Sequence, residues 1–157
     1  MPGDRKVKEL NSLMKNRDKY IKEGIMVLNP GDNLNKWRGF IKGPDDSPYE
    51  GGIFELQIKF SQDYPFSAPI ITFVTPIYHM NVNSSGEICI DILKESWTPA
   101  LKIDKVLHSL RSFLNQPNPD DPYVTEIANL YRSNKKTYEK KVREYTSQKA
   151  LKDFPEE

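Results

Sequence analysis

At the start of the chain Val7, Leu10, Leu13 and Met14 are spaced by Lys, Glu and Asn, a period that predicts an amphipathic helix. The period then shortens. Between Gly24 and Val74, "GIMVL", "KWRGFI", the alternating "FELQIKF" and "PIITFV" are short runs rich in β-branched and aromatic residues, and they predict four strands. Between them "NPGD" and "GPDDSPYEGG" supply the Pro, Asp and Gly that tight turns need. Consecutive strands joined this closely predict an antiparallel meander.

After Val74 comes "TPIYHMNVNSSGEICIDILKESWTPALKI", with scattered apolar residues and no sustained period, a long irregular segment of the kind that carries function. Helical spacing returns at Val106, Leu107, Leu110, Phe113 and Leu114, with Asp104 as the expected N-cap. The run "NQPNPDD" ends that helix. Pro122 then opens the next one, with Asp121 as its expected N-cap and Tyr123, Ile127, Leu130 and Tyr131 as its apolar stripe. A last helix from about Ser133 carries Tyr138, Val142 and Tyr145 and is basic between Lys135 and Lys149, and the closing "KDFPEE" is expected to fray. The order is an N-terminal helix, a four-stranded antiparallel meander, a long candidate active-site segment and three helices. That order is α+β.

With 157 residues, 37% of them hydrophobic, the chain is long enough for one sizeable core and short for two. One domain spanning residues 1–157 is expected. A net charge of +1 gives no global pull toward nucleic acid or an anionic membrane. Neither is expected as a partner. The start "MPGDRKVKEL" has no apolar signal core, and no apolar run approaches the length of a membrane span. One cysteine excludes an internal disulfide and a thiolate metal site. A reducing compartment, cytoplasm or nucleus, is the expected location.

That cysteine, Cys89, stands between Ile88 and Ile90. Free cysteine is among the most buried residue types, so from these residues alone packing is the leading reading. A thiol hydrolase would need a histidine base, and only His79 and His108 exist. Spacing supports neither. No phosphate loop, no HExxH zinc spacing and no metal cluster can be read in the chain. The adjacent acids Asp120 and Asp121 sit where a helix start favours a carboxylate, and the tyrosines of the basic last helix fall on its apolar stripe rather than interleaving with its cations.

Taken together, "WRGFIKGPDDSPYEGGIF", "YPFSAPIITF", "HMNVNSSGEICIDILKESWTPALKI" and "PNPDDPYVTEIANLY" resemble the ubiquitin-conjugating enzymes, the carriers that hold ubiquitin as a thioester. The resemblance runs from about Val7 to Lys149. It implies that Cys89 is the ubiquitin acceptor, that Asn81 of "HMN" donates to the oxyanion formed when an amine attacks or else orders the loop, and that Asp121 orients the incoming lysine and helps deprotonate it. His79 is implied to hold the loop rather than move a proton, with Asp91 and Asp120 as further acids near the site. It implies ligase docking at Arg5, Phe66, Pro99 and Ala100, and contact with the donor ubiquitin at Lys105 and His108. The implied partners are ubiquitin, its activating enzyme, RING-type or HECT-type ligases and protein substrates. No cofactor is implied, because ATP is used by the activating enzyme upstream.

Four positions depart from the family's pattern. Met80 replaces a usual proline and predicts a looser loop. His108 stands where the nearest relatives have leucine, which predicts a pH dependence of ligase-stimulated discharge. Met26 falls near a position used by relatives to bind a second ubiquitin noncovalently, and Asp4 occupies a place that is often basic. Two other readings stay open at this level: a carrier of another ubiquitin-like protein, disfavoured by the short "ILKESWTPAL" connection, and a silent ubiquitin-binding module, disfavoured by the presence of Cys89, Asn81 and Asp121 together.

Overall fold

Along Ile53–Lys59 the side chains of Phe54, Leu56 and Ile58 are fully buried while Glu55 and Gln57 between them are not, the two-residue alternation of a strand with one covered face. This segment is β3 of the computed structural model, which describes residues 2–156, with side chains from residue 5 onward; Asp4 thus lies outside the described side chains. The strands β1 (Ile25–Val27), β2 (Lys36–Lys42), β3 and β4 (Ile70–Phe73) form one antiparallel sheet in sequence order. The predicted meander is present. Direct pairing of Ile25 with Ile41, Trp37 with Ile58 and Leu56 with Phe73 puts large apolar side chains on one face.

Among the described residues five α-helices accompany the sheet: α1 (Pro2–Lys15), α2 (Arg17–Lys22), α3 (Ile103–Leu114), α4 (Thr125–Ser133) and α5 (Lys135–Lys149). Leu10 and Leu13 of α1, Val106, Leu107 and Leu110 of α3, Ile127 of α4 and Val142 of α5 enter one core with the inner sheet face. Each such side chain contributes about 2 kcal/mol by leaving water. None of the described helices is long and apolar enough to cross a membrane.

Three local expectations are corrected. Asp104 is the second residue of α3 rather than its N-cap; Lys102 occupies the cap position without a side-chain bond, and the Glu9 carboxylate accepts the Ile103 N–H at 2.7 Å instead. Asp121 does not cap α4, which begins only at Thr125. The Met80 carbonyl accepts the N–H groups of both Tyr123 (2.8 Å) and Val124 (3.0 Å), holding the chain out of helical geometry until that point. Tyr123 consequently lies before the helix and is 42% exposed. The short α2, with Tyr20 as its one buried side chain, was not expected as a separate helix, because six residues are too few to display a period.

The third correction concerns "KDFPEE". Leu151 exchanges two main-chain hydrogen bonds of 2.9 Å with Ile53, using the edge of β3 left free where β4 ends. Phe154 packs with Ile21 and Leu28 over Met26, Phe40 and Ile53, an apolar patch on the outer face of the sheet. Leu151, just before that stretch, and Phe154 within it thus form a strap over the sheet. Met26, at 2% exposure, is sealed beneath it.

Candidate active site

The segment before Cys89 is shaped by a turn. Asn83 Oδ1 accepts the N–H groups of Ser85 (3.0 Å) and Glu87 (2.9 Å). Gly86 closes the turn with φ at +84°, where an added Cβ would stand 2.2 Å from the Phe73 carbonyl oxygen. Only glycine fits such a position. The chain then pairs Ile88 with Val82, buries Ile88 at 6% exposure and brings out Cys89, half-buried. Ile88 is therefore core, while the thiol beside it reaches the surface.

The Cys89 N–H donates to the Asn81 carbonyl (2.9 Å), and the Cys89 thiol donates to Asp121 Oδ2 at 3.3 Å. Asn81 is fully buried. Its Nδ2 donates to the carbonyls of Asn118 (2.9 Å) and Asp121 (3.1 Å), and its Oδ1 accepts the Asn118 N–H (2.8 Å). Both amide protons and one acceptor site are thus spent on holding residues 118–121 beside the cysteine. In this arrangement Asn81 is a staple for the Asp121 loop, and donation to an oxyanion would require one of those bonds to open.

His79 is also fully buried. Its Nδ1 accepts the Asn81 N–H at 3.0 Å, and its Nε2 lies 3.3 Å from the Phe113 carbonyl, so one ring proton on Nε2 satisfies both contacts. Burial pushes its pKa down to about 4. It is neutral, and both nitrogens are occupied by backbone. Met80, next to it, is 0% exposed. The loop around Met80 is held by burial of the methionine and by the two bonds to its carbonyl.

Cys89, Asp91, Lys94, Glu95, Lys105 and His108 line a groove of about 1040 Å³ that continues along α3 to Asn118 and Asp121. Burial raises the thiol above its ordinary pKa. The hydrogen bond and charge of Asp121, and the charge of Glu95, push the same way, while Lys94 opposes them. Among the described residues no histidine nitrogen bonds the sulfur, since His108 Nε2 pairs with Glu23 (2.9 Å). The groove holds a protonated, restrained thiol with an acid at its side. Such a thiol suits acyl exchange with another thiol better than attack on a peptide.

The remaining candidates divide. Asp91 begins a single 3₁₀ turn, Asp91–Leu93, in the wall of the groove. Asp120 turns away to pair with Arg132. Phe66 (70% exposed), Pro99 and Ala100 are exposed outside the groove, on two loops that the Trp97 indole N–H joins by donating to the Pro65 carbonyl (3.0 Å). Arg5 does not present its guanidinium to that surface: it donates to Glu9 (2.7 Å), to the Pro99 carbonyl (2.6 Å) and to the Leu101 carbonyl (2.7 Å). Lys94, Glu23 and Glu9 were missed by sequence reasoning. Lys94 stands five positions after Cys89, and that spacing across a short turn was the available signal. The glutamates act through partners distant in sequence.

Comparison with known proteins places this geometry. Residues 5–146 match the ubiquitin-conjugating enzyme family. The chain is 47% identical over 138 residues to an Arabidopsis thaliana protein described as "Probable ubiquitin-conjugating enzyme E2 31", covering 87% of this chain and 90% of that protein. Its fold matches the solved E2 domain of a Toxoplasma gondii ubiquitin conjugating enzyme with a TM-score of 0.84 and 36% identity, covering 95% of this chain and 99% of that one. The chain belongs to the ubiquitin-conjugating enzyme family, and as such is a transferase of the pathway that links ubiquitin, its activating enzyme and its ligases.

Proposed function

We propose that Cys89 accepts ubiquitin as a thioester from the activating enzyme and passes it to a substrate lysine with a RING-type ligase, or to the cysteine of a HECT-type ligase. In loading, the Cys89 sulfur takes the ubiquitin acyl group from the activating enzyme's thioester, and the proton of Cys89 leaves with the released thiol. One thioester replaces another, so the step needs no nucleotide, metal or other cofactor in this chain. In transfer to lysine, a neutral amine adds to the thioester carbonyl, the C–S bond breaks, and the proton that the nitrogen sheds as the amide forms ends on the departing Cys89 thiolate. An amine with an ordinary pKa near 10.4 is mostly protonated at neutral pH, and the Asp121 carboxylate accepts its excess proton.

The observation that carries this reading is the contact of 3.3 Å between the Cys89 sulfur and Asp121 Oδ2 at the end of an open groove. His79, held between backbone groups, keeps the loop in place, and Asn81 holds the 118–121 segment so that Asp121 stays beside the sulfur. Lys105 and His108 on the α3 wall face the tethered ubiquitin. The reaction belongs in the cytoplasm or nucleus, where thiols stay reduced.

The test is a thioester assay with ubiquitin, activating enzyme and ATP, resolved on a gel with and without reductant. A product one ubiquitin heavier, lost on reduction and reductant-resistant in Cys89→Ser, is the expected result. Absence of that product with ubiquitin, and its appearance with another ubiquitin-like protein, would reassign the cargo. Its absence with every modifier would leave a binding module.

A further inference from the structure

Glu9 lies on the inward side of α1 and is 7% exposed. A buried carboxylate is costly unless donors surround it. Here three donors from three different parts of the chain do so. Oε2 accepts the Arg5 Nε–H (2.7 Å) and the Tyr64 hydroxyl (2.6 Å), and Oε1 accepts the N–H of Ile103, the first residue of α3 (2.7 Å).

Each donor reaches further. The other two guanidinium nitrogens of Arg5 hold the carbonyls of Pro99 and Leu101, fixing the backbone on either side of Ala100. Tyr64 precedes Pro65 and the exposed Phe66, and its ring lies 6.0 Å from that of Trp97, whose indole N–H donates to the Pro65 carbonyl (3.0 Å). Burial and the bond to Glu9 hold the Tyr64 phenol well above its ordinary pKa, so the hydroxyl stays a donor. Ile103 begins the helix whose Lys105, His108, Ser109 and Ser112 line the groove beside Cys89. Both loops that carry Phe66, Pro99 and Ala100, and the first N–H of α3, thus share one carboxylate as their anchor.

We propose that Glu9 is a positioning residue for ligase-stimulated transfer, holding the two halves of the docking surface together and in register with α3. This rests on the function proposed above. Glu9 touches neither the groove nor the exposed surface. Its removal therefore acts on stimulation by a bound ligase and spares the intrinsic chemistry at Cys89.

The experiment uses the whole chain carrying Glu9→Gln, which keeps the shape but places an amide N–H₂ against groups that donate. Three rates are read: loading by the activating enzyme, discharge to free lysine without ligase, and discharge across a range of RING-type ligase concentrations. Binding of the same RING domain to the unloaded protein is measured alongside. Loading and unstimulated discharge are expected to stay within about twofold of the parent, while RING affinity and stimulated discharge each fall by about fivefold or more, as for loss of a charge-assisted hydrogen bond.

Tyr64→Phe removes one arm and keeps the ion pair, so it gives a smaller change in the same direction and carries the test if Glu9→Gln does not fold. A stimulated curve and RING affinity identical to the parent's overturn the proposal. So does an unstimulated rate that falls in the same proportion as the stimulated one. A parent that binds the RING domain but loads no ubiquitin overturns the proposed function alone, with the binding measurement still deciding the role of Glu9. A parent that does neither overturns both.

Discussion

The carboxylate of Asp121 lies 3.3 Å from the sulfur of Cys89 and favours the protonated thiol, a proton the cysteine must lose to be loaded. Burial and Asp121 raise the thiol, with Lys94 opposing them. In Asp121→Asn the charge is gone and Lys94 acts with less opposition, so the Cys89 pKa falls. Labelling of the unloaded enzyme by iodoacetamide at about pH 7.5 is expected to rise about threefold. Discharge of the loaded enzyme to lysine is expected to fall about tenfold or more, a modest general-base effect. The two measurements should move in opposite directions; a common fall would mean that the substitution disturbs the loop and not the charge.

Asn81 makes three side-chain hydrogen bonds to the backbone of Asn118 and Asp121. In Asn81→Ala the groups it served lose their buried partner, at a cost of about 1–3 kcal/mol in stability. Hydrogen exchange is expected to accelerate at residues 118–121 in the free protein, before any ubiquitin is attached. Unchanged exchange there, with transfer still impaired, would return Asn81 to a direct role at the oxyanion.

His79 makes stability depend on pH. Its folded pKa is pushed down to about 4 from an ordinary 6.5, so between those values the unfolded chain binds a proton that the folded chain does not. Stability therefore falls as pH drops from about 6.5 toward about 4, by about 3 kcal/mol in total from this group, and levels off below. Urea unfolding of the parent and His79→Gln across that range checks it. The variant is expected to be less stable at neutral pH, with a shallower slope. Parallel slopes would show that other groups carry the acid dependence.

Phe154 covers Met26, Phe40 and Ile53. Phe154→Ala is expected to cost about 1–2 kcal/mol, less than for a fully buried phenylalanine because the ring is itself half-exposed. Binding of a hydrophobic dye should increase as the outer face opens, while ubiquitin loading stays near the parent's. No change in dye binding would mean that Leu151 and its main-chain bonds keep the face closed by themselves.

Strands and the longer helices were legible because their burial repeats within a few residues. The alternation of Phe54, Leu56 and Ile58 and the spacing of Val106, Leu107 and Leu110 are local signals. Helix starts were not, because the groups that set them come from elsewhere: Glu9 serves the first N–H of α3 from 94 positions away, and the Met80 carbonyl delays α4. The tail read as frayed because its composition is polar, although one bridge and one aromatic ring are enough to pin it. Of the site, motif order brought Cys89, Asn81 and Asp121 to notice, and folding places them within hydrogen-bonding reach of one another. The inward turn of Arg5, the pairing of His108 with Glu23 and the burial of His79 between the Asn81 N–H and the Phe113 carbonyl depend on three-dimensional neighbours that no spacing reveals.

The strap has a consequence for how the chain is made. Leu151 closes onto Ile53, so the sheet's outer face waits for a segment that follows α5 in the chain. Translation proceeds from the N-terminus, and partly folded chains with open apolar surface are prone to aggregate. Met26, Phe40 and Ile53 are made before Leu151 and Phe154 and stay uncovered on that side until these follow. Until that segment follows, the growing chain carries an open apolar face that favours unwanted association.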